Sequence, residues 1–276
     1  MNNFNPMGPL RLFQQRVKGR LINRFVNGVV KYNDVRNVMT GKRKMVPAEL
    51  LWVDPDLISR SITWNKLRER DHLPEYEYFD KPKYKIAATI RGGDWDSVRR
   101  RFEDSTVYTS FVEHFENDAP WEDTVLYNEA IDRIRDGERW WRCTTEAQFR
   151  DRCRELDQLF NTIRKDGYKT QRNLLARDDV WIQSRGAKNA SDFQILKCEV
   201  AVNIGRNGEL IFHDGRNRLA MAKILGLEEI PVVVLVRHEG WQRLRDEIVM
   251  GKRKQSDLSE VIRSHPDLPQ NVPTNS

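Results

Sequence analysis

The segment His213-Asp214-Gly215-Arg216-Asn217-Arg218 puts an acid, a glycine and two arginines within six residues, where an apolar run gives way to a helical pattern. A strand that passes straight into a helix through Asp-Gly leaves backbone N–H groups at the helix start without internal acceptors. Those donors and the positive end of the helix dipole attract an anion. Glycine lets the backbone approach closely, and Arg216 and Arg218 stand within one turn to neutralise phosphate oxygens. The chemistry expected here is the cradling of a phosphate. Asp214 is placed either to cap the helix or to hold a Mg2+ ion that bridges phosphates. His213 either faces the core from the strand end or sits at the mouth of the site. Arg237 and His238, ending a later strand, either reach the same mouth or form a rim ion pair.

The elements that would position these residues follow from periodicity. Thr144 or Thr145 can cap a helix running to Lys165, with Phe149, Cys153, Leu156, Leu159, Phe160 and Ile163 on one face, stopped by Asp166-Gly167. Residues 198–204 alternate like a strand, Arg206-Asn207-Gly208 signals a hairpin turn, and residues 209–213 form the returning strand. A helix then runs to Leu225 and ends at Gly226, and residues 230–237 read as a strand. Residues 144–240 are thus predicted to form a core of helix, hairpin, helix and strand.

Upstream, residues 46–62 hold a first strand that ends at Asp54-Pro55. Residues 63–143 read as a mostly helical insertion. It begins with an irregular connection over 63–84 and a strand over 85–90, and Tyr108, Phe111, Phe115, Trp121, Tyr127, Ile131 and Ile134 follow at helical spacing as core. Downstream, residues 241–263 form one or two charged helices, and 264–276 a polar tail expected to be disordered.

The net charge of +6 is not spread evenly. Residues 1–44 carry ten Lys or Arg against Asp34 alone, an excess of +9, so the remainder carries −3. The arm, residues 1–45, shows Leu10, Phe13, Val17, Leu21 and Phe25 as one apolar stripe flanked by arginines. Such a helix packs on the protein's own body, lies peripherally on anionic lipid, or contacts nucleic acid. Lys42-Arg43-Lys44 reads as a solvated turn. The longest apolar run is seven residues, too short for a membrane span, and the first residues lack the features of a secretory signal, so a cytoplasmic location is expected. Cys143, Cys153 and Cys198 have no spacing that suits a disulfide framework or a zinc site.

The succession Leu156-x-x-Leu159-x-x-x-Ile163-x-x-x-Gly167, Gln171, residues 200–204, residues 211–222 and Ile230-Pro231-Val232-Val233-Val234 resembles the ParB/sulfiredoxin superfamily. The resemblance covers about 85 residues. It implies an α+β fold: a small ParB/sulfiredoxin-like mixed sheet with flanking helices, here with the helical insertion and the basic N-terminal helix added. It also implies that Gly215, Arg216, Asn217 and Arg218 take the place of the family's phosphate loop, with Arg218 as its final arginine and Gln171 in the nearby polar loop. Asn217 departs from members that carry His there. Sulfiredoxins place their reactive cysteine where Arg216 stands, which argues against sulfinic-acid reduction. ParB partition proteins bind CTP and carry a helix-turn-helix domain behind the loop, and no such recognition helix is seen after His238. Free-serine kinases of the superfamily use a glutamate base, for which Glu199, Asp54 and Asp56 are the candidates here. A longer pattern, including Trp95-Asp96, Trp121-Glu122-Asp123-Thr124, Gly167-Tyr168 and Trp241, is also similar to uncharacterised archaeal ParB-like proteins.

Three functional readings follow. One is a Mg2+-dependent phosphotransferase or NTP hydrolase, with ATP, ADP or CTP held by Gly215, Arg216 and Arg218. A second is a DNA- or RNA-binding module aided by the basic arm. The third is a nucleotide sensor without turnover.

Overall fold

The computed structural model describes residues 24–33, 35–36, 50–62, 79, 81–97, 100–176 and 198–268. The fold is α+β, built around one open, mixed, six-stranded sheet. Its strands are β1 (Leu50–Val53), β2 (Arg60–Ser61), β3 (Thr89–Arg91), β4 (Val200–Ile204), β5 (Leu210–Asp214) and β6 (Ile230–His238). They lie in the order β1-β6-β4-β5-β2, and β3 pairs with β6 alongside its last three residues. β6 has neighbours on both edges, and all nine of its residues are buried. That explains why Ile-Pro-Val-Val-Val-Leu-Val is nearly unbroken in hydrophobicity rather than alternating.

The helices are α1 (Lys83–Ile86), α2 (Thr106–Phe115), α3 (Val125–Arg135), α4 (Glu146–Asp166), α5 (Gln171–Ala176), α6 (Arg216–Ile224), α7 (Glu239–Val249) and α8 (Glu260–Arg263). α4 starts and stops as its sequence dictates: Thr145 accepts from the Gln148 amide, and Gly167 at φ 73 ends the helix. Its buried face is Phe149, Cys153, Leu156, Phe160 and Ile163, while Leu159 is only partly buried. α6 buries Leu219, Ala220, Met221 and Ala222 and packs against α2, α4 and β4. The expected aromatic core upstream is present: Phe111, Trp121 and Tyr127 are buried, and Tyr108 and Phe115 pack against them from partly buried positions. Among the described residues no helix is long and apolar enough to cross a membrane.

Three local expectations are corrected. Residues 85–90 do not form a single strand; Lys83–Ile86 is a helical turn after Pro82, and only Thr89–Arg91 pairs with β6. The polar tail is ordered at its start, because Asp267 and Leu268 are buried; residues 269–276 lie outside the described residues. Of the N-terminal stripe, Leu10, Phe13, Val17 and Leu21 lie outside the described residues, and Phe25 is 59% exposed. The buried face of the helical residues 24–33 is Val26, Val30 and Asn33 instead. Asn33 donates to the carbonyl oxygens of Lys85 and Ala87, and Phe25 meets Tyr84 edge-on, so this helix clamps α1.

The register sets which residues can meet. Asp214 pairs with Ala201, and Val200 with Val232, so the end of β5 lies beside the starts of β4 and β6. Arg237 pairs with Ile204, which pairs with Leu210, so the end of β6 lies at the hairpin-turn end of the sheet. Four residues separate the two levels, about 13 Å along a strand.

Candidate anion-binding cavity

At the end of β5 the backbone turns through Gly215, whose φ of 95 lies in the left-handed region. A Cβ there would stand 2.8 Å from the Val200 Cα, so the turn requires glycine on both conformational and steric grounds. Gly215 donates from its amide to Asp214 Oδ1 at 2.7 Å, and the Arg218 amide donates to the Gly215 carbonyl at 3.1 Å. The Asn217 amide has no acceptor among the described residues.

This turn opens on a cavity of about 610 Å³. Asp214, Gly215, Arg216, Asn217 and Arg218 line one side. Pro82, Lys83 and Tyr84 enter from α1, Arg152 and Leu159 from one face of α4, Trp141 and Arg142 from the turn before α4, and Cys198 from just ahead of β4. Five of these described lining residues are cationic, and Asp214 is the single acid among them. With low-dielectric walls on several sides, such a surplus focuses a positive potential into the cavity.

The cations are held in graded ways. Lys83 Nζ lies 2.5 Å from Asp214 Oδ2, with its side chain 15% exposed. Burial depresses the Lys83 ammonium below the ordinary lysine value even with Asp214 beside it. At Asp214 burial works upward, but the Lys83 charge and the bonds from Lys83 and Gly215 prevail and hold the carboxyl below its usual range. Arg152 pairs with Glu155 at 2.5 Å, one turn along α4. Arg218 is the most enclosed: its Nη1 donates to Tyr168 Oη at 3.2 Å and to Glu199 Oε2 at 3.3 Å. Burial pushes the Tyr168 phenol up to about 12 against the opposing charge of Arg218, so it stays protonated.

Glu199 is fully buried behind Arg218, and its other oxygen accepts from the Gln171 amide at 2.5 Å. Burial pushes the Glu199 carboxyl above the ordinary glutamate range, although Arg218 and the Gln171 amide pull it the other way. Both oxygens are engaged, which suits the setting of Arg218 rather than open contact with a ligand. Gln171 takes part through its backbone.

The remaining sequence candidates lie elsewhere. Asp54 caps the 3-10 turn Pro55–Leu57 by accepting from the Asp56 amide at 2.8 Å. Asp56 approaches Lys223 at 3.5 Å, in the last turn of α6 and about 12 Å along that helix from Gly215. His213 is buried, with Nδ1 3.3 Å from Asn203 Nδ2 and its ring near Phe79. Arg237 and His238 do not share the mouth with Arg218, because the antiparallel hairpin reverses β5 relative to β6. Arg237 is 1% exposed and bound to Asp267 through Nε and Nη2. His238 accepts the Gly240 amide through Nδ1 and donates through Nε2 to the Gly93 carbonyl, which caps α7.

A resident Mg2+ does not fit the donor set. Asp214 already has Lys83 on one oxygen and Gly215 on the other, and among the described residues no cluster of three or more His, Cys, Asp or Glu could hold a metal. A phosphate does fit, because its charge would be met by lysine and arginine directly. Sequence reasoning missed Lys83, Tyr84, Trp141, Arg142, Arg152 and Tyr168, which come from four separate places in the chain without a shared pattern. The helical face of α4 could have flagged Arg152, which stands seven residues before Leu159 on the same side. No protein-family model, no curated protein and no solved structure matches the chain.

Proposed function

We propose that this protein binds a phosphate-bearing small molecule, a nucleotide polyphosphate being the expected class, with its phosphates on residues 215–218. The observation that carries this reading is the cavity itself: Lys83, Arg142, Arg152, Arg216 and Arg218 surround it, Asp214 is the one acid among its described lining residues, and Glu155 and Glu199 pair with Arg152 and Arg218 from outside that lining. Its volume falls within the range of small-molecule sites, roughly 300–1,000 Å³. Arg218, backed by Glu199 and Tyr168, is the pre-oriented cation; Arg216 and the Asn217 amide supply donors at the start of α6. The reading keeps the ParB/sulfiredoxin-like arrangement, supported by the run of α4, the β4–β5 hairpin, the Gly215 loop, α6 and β6. It favours binding over turnover, because the carboxylates nearest the loop, Asp214 and Glu199, both have their oxygens engaged. Any Mg2+ would arrive on the ligand's own phosphates.

Titration calorimetry at low salt tests this with ATP, ADP, CTP and inorganic tripolyphosphate, each with and without Mg2+. At least one should bind, and Arg216→Ala should weaken it about tenfold, the loss expected for one charge-assisted contact. Arg243→Ala, on the exposed side of α7, should leave it unchanged. Failure of all four to bind would remove the proposal, and phosphate release under the same conditions would convert it to an enzyme.

A further inference from the structure

The turn between α3 and α4 is made from unsuitable residues. Trp140 and Cys143 exchange two backbone bonds, Trp140 N–H to Cys143 O at 3.0 Å and Cys143 N–H to Trp140 O at 2.7 Å. The two residues between them, Trp141 at φ 47 and Arg142 at φ 69, are both left-handed. Two-residue turns of this kind ordinarily use Asn-Gly, because left-handed backbone costs other L-residues energy at each position. A tryptophan and an arginine held in such a turn point to a use for their side chains.

Both residues line the cavity. The Trp141 indole is partly buried, with the Phe149 ring 6.0 Å away and tilted by 60°. Tyr84 contributes a second aromatic wall from α1. The Arg142 side chain has no hydrogen-bond or ion-pair partner among the described residues, whereas Lys83, Arg152 and Arg218 each have a carboxylate. A site for inorganic phosphate would need cations but no indole. An indole and a phenol beside clustered cations suit a ligand that is flat and aromatic at one end and anionic at the other.

Resting on the phosphate reading above, we infer that the Trp141-Arg142 turn is the specificity element of the cavity: Trp141 is the stacking platform for the base of a nucleoside phosphate, and Arg142 reaches its phosphates. The base then reads Trp141, and residues 215–218 read the phosphates.

Calorimetry on the full chain with ATP, CTP, ribose 5-phosphate and inorganic tripolyphosphate separates the two layers. Trp141→Ala should weaken the better nucleotide about tenfold or more, the loss typical of one base–aromatic stack, with tripolyphosphate affinity unchanged. Trp141→Phe should retain most of the nucleotide affinity. Arg142→Gly relieves a left-handed position and removes an unpaired side chain, so it should raise Tm by a few degrees while weakening both ligands. Equal affinity of the wild type for nucleotides and tripolyphosphate, or an equal loss of both in Trp141→Ala, overturns the platform and leaves the phosphate site standing. Arg142→Gly with undiminished binding overturns the role of Arg142. Absence of binding by any of the four overturns both layers.

Discussion

The two ends of the sheet each bury an arginine against a carboxylate, and they do so differently. At the hairpin-turn end, the Asp267 carboxylate accepts from Arg237 and from the Trp241 indole at 2.8 Å, and the Asp267 and Arg237 side chains are about 1% exposed. Arg245 Nε stands 3.2 Å from that carboxylate as an ion pair while donating to the Asp267 backbone carbonyl at 2.6 Å. At the other end, Glu199 accepts from Arg218 and one backbone amide, and Arg218 borders an open cavity with four further cations. The first end is saturated: both carboxylate oxygens accept from Arg237 and one also from Trp241, and burial there is outweighed, so Asp267 is held below the usual carboxylate range. The second is under-neutralised, and burial wins at Glu199. An arginine–carboxylate pair thus fastens the chain in one place and, in the other, holds a cation at the edge of a cavity. What separates them is the balance of charge around the pair and the presence of space beside it.

The largest expected effect comes from breaking the saturated end. Asp267→Ala leaves Arg237 buried without its carboxylate and removes the acceptor of the Trp241 indole, so the loss should reach about 3–5 kcal/mol, the range for one partner of a buried ion pair. Urea unfolding of the variant measures it. A loss under about 1 kcal/mol would show that α7 and the segment after α8 are not fastened through Asp267. Binding at the cavity should be untouched wherever the variant is folded.

Glu199→Ala is the matching change at the open end and should cost less, about 1–3 kcal/mol, because Arg218 keeps the Tyr168 hydroxyl and has the cavity beside it. It should also be rescued in part by ligand. With the carboxylate gone, an anion in the cavity becomes the partner of Arg218, so saturating tripolyphosphate should raise the variant's Tm by more than it raises that of the wild type. Thermal melts with and without the anion decide this. Equal shifts would mean that Arg218 does not face the ligand, and the distinction between the two ends would reduce to burial alone.

What could be read from sequence divides along the same line. The Gly215 end was legible because its parts are contiguous and periodic: α4 has its cap and its Gly167 stop, the hairpin has Arg206-Asn207-Gly208, and Asp214-Gly215 marks the turn into α6. Of the two readings of Arg237 and His238, the one that brought them to the mouth with Arg218 failed because no local pattern sets how β6 pairs; with the hairpin antiparallel, the parallel pairing of β6 with β4 sends the ends of β5 and β6 apart. Lys83, Trp141 and Arg142 were illegible because they sit in a four-residue helix and a two-residue turn, too short to show a period, and reach the cavity from other parts of the chain. Asp267 was illegible because its partner Arg237 is 30 residues away and its own surroundings are polar and proline-containing.

The smallest effect, and the one that most sharpens the comparison, is the pH dependence of the two carboxylates. Asp267 is held below its ordinary value of 3.8, so its contribution to stability is present above that pH and is lost as pH falls through the folded-state value. Glu199 is raised above 4.5, so the folded state favours its proton; its contribution is present below 4.5 and is lost as pH rises through the folded-state value. Unfolding free energies of the wild type, Asp267→Asn and Glu199→Gln between pH 3 and 8 should therefore slope in opposite directions when each variant is subtracted from the wild type. The difference against Asp267→Asn shrinks toward acid pH, and the difference against Glu199→Gln shrinks as pH climbs from the carboxylate range toward neutrality. A single group limits either slope to about 1.4 kcal/mol per pH unit. If both differences shrink toward acid, then Arg218 outweighs burial at Glu199 just as Arg237 does at Asp267. The cavity end would then be as fully neutralised as the closed one, leaving Arg218 no surplus charge to offer an anion.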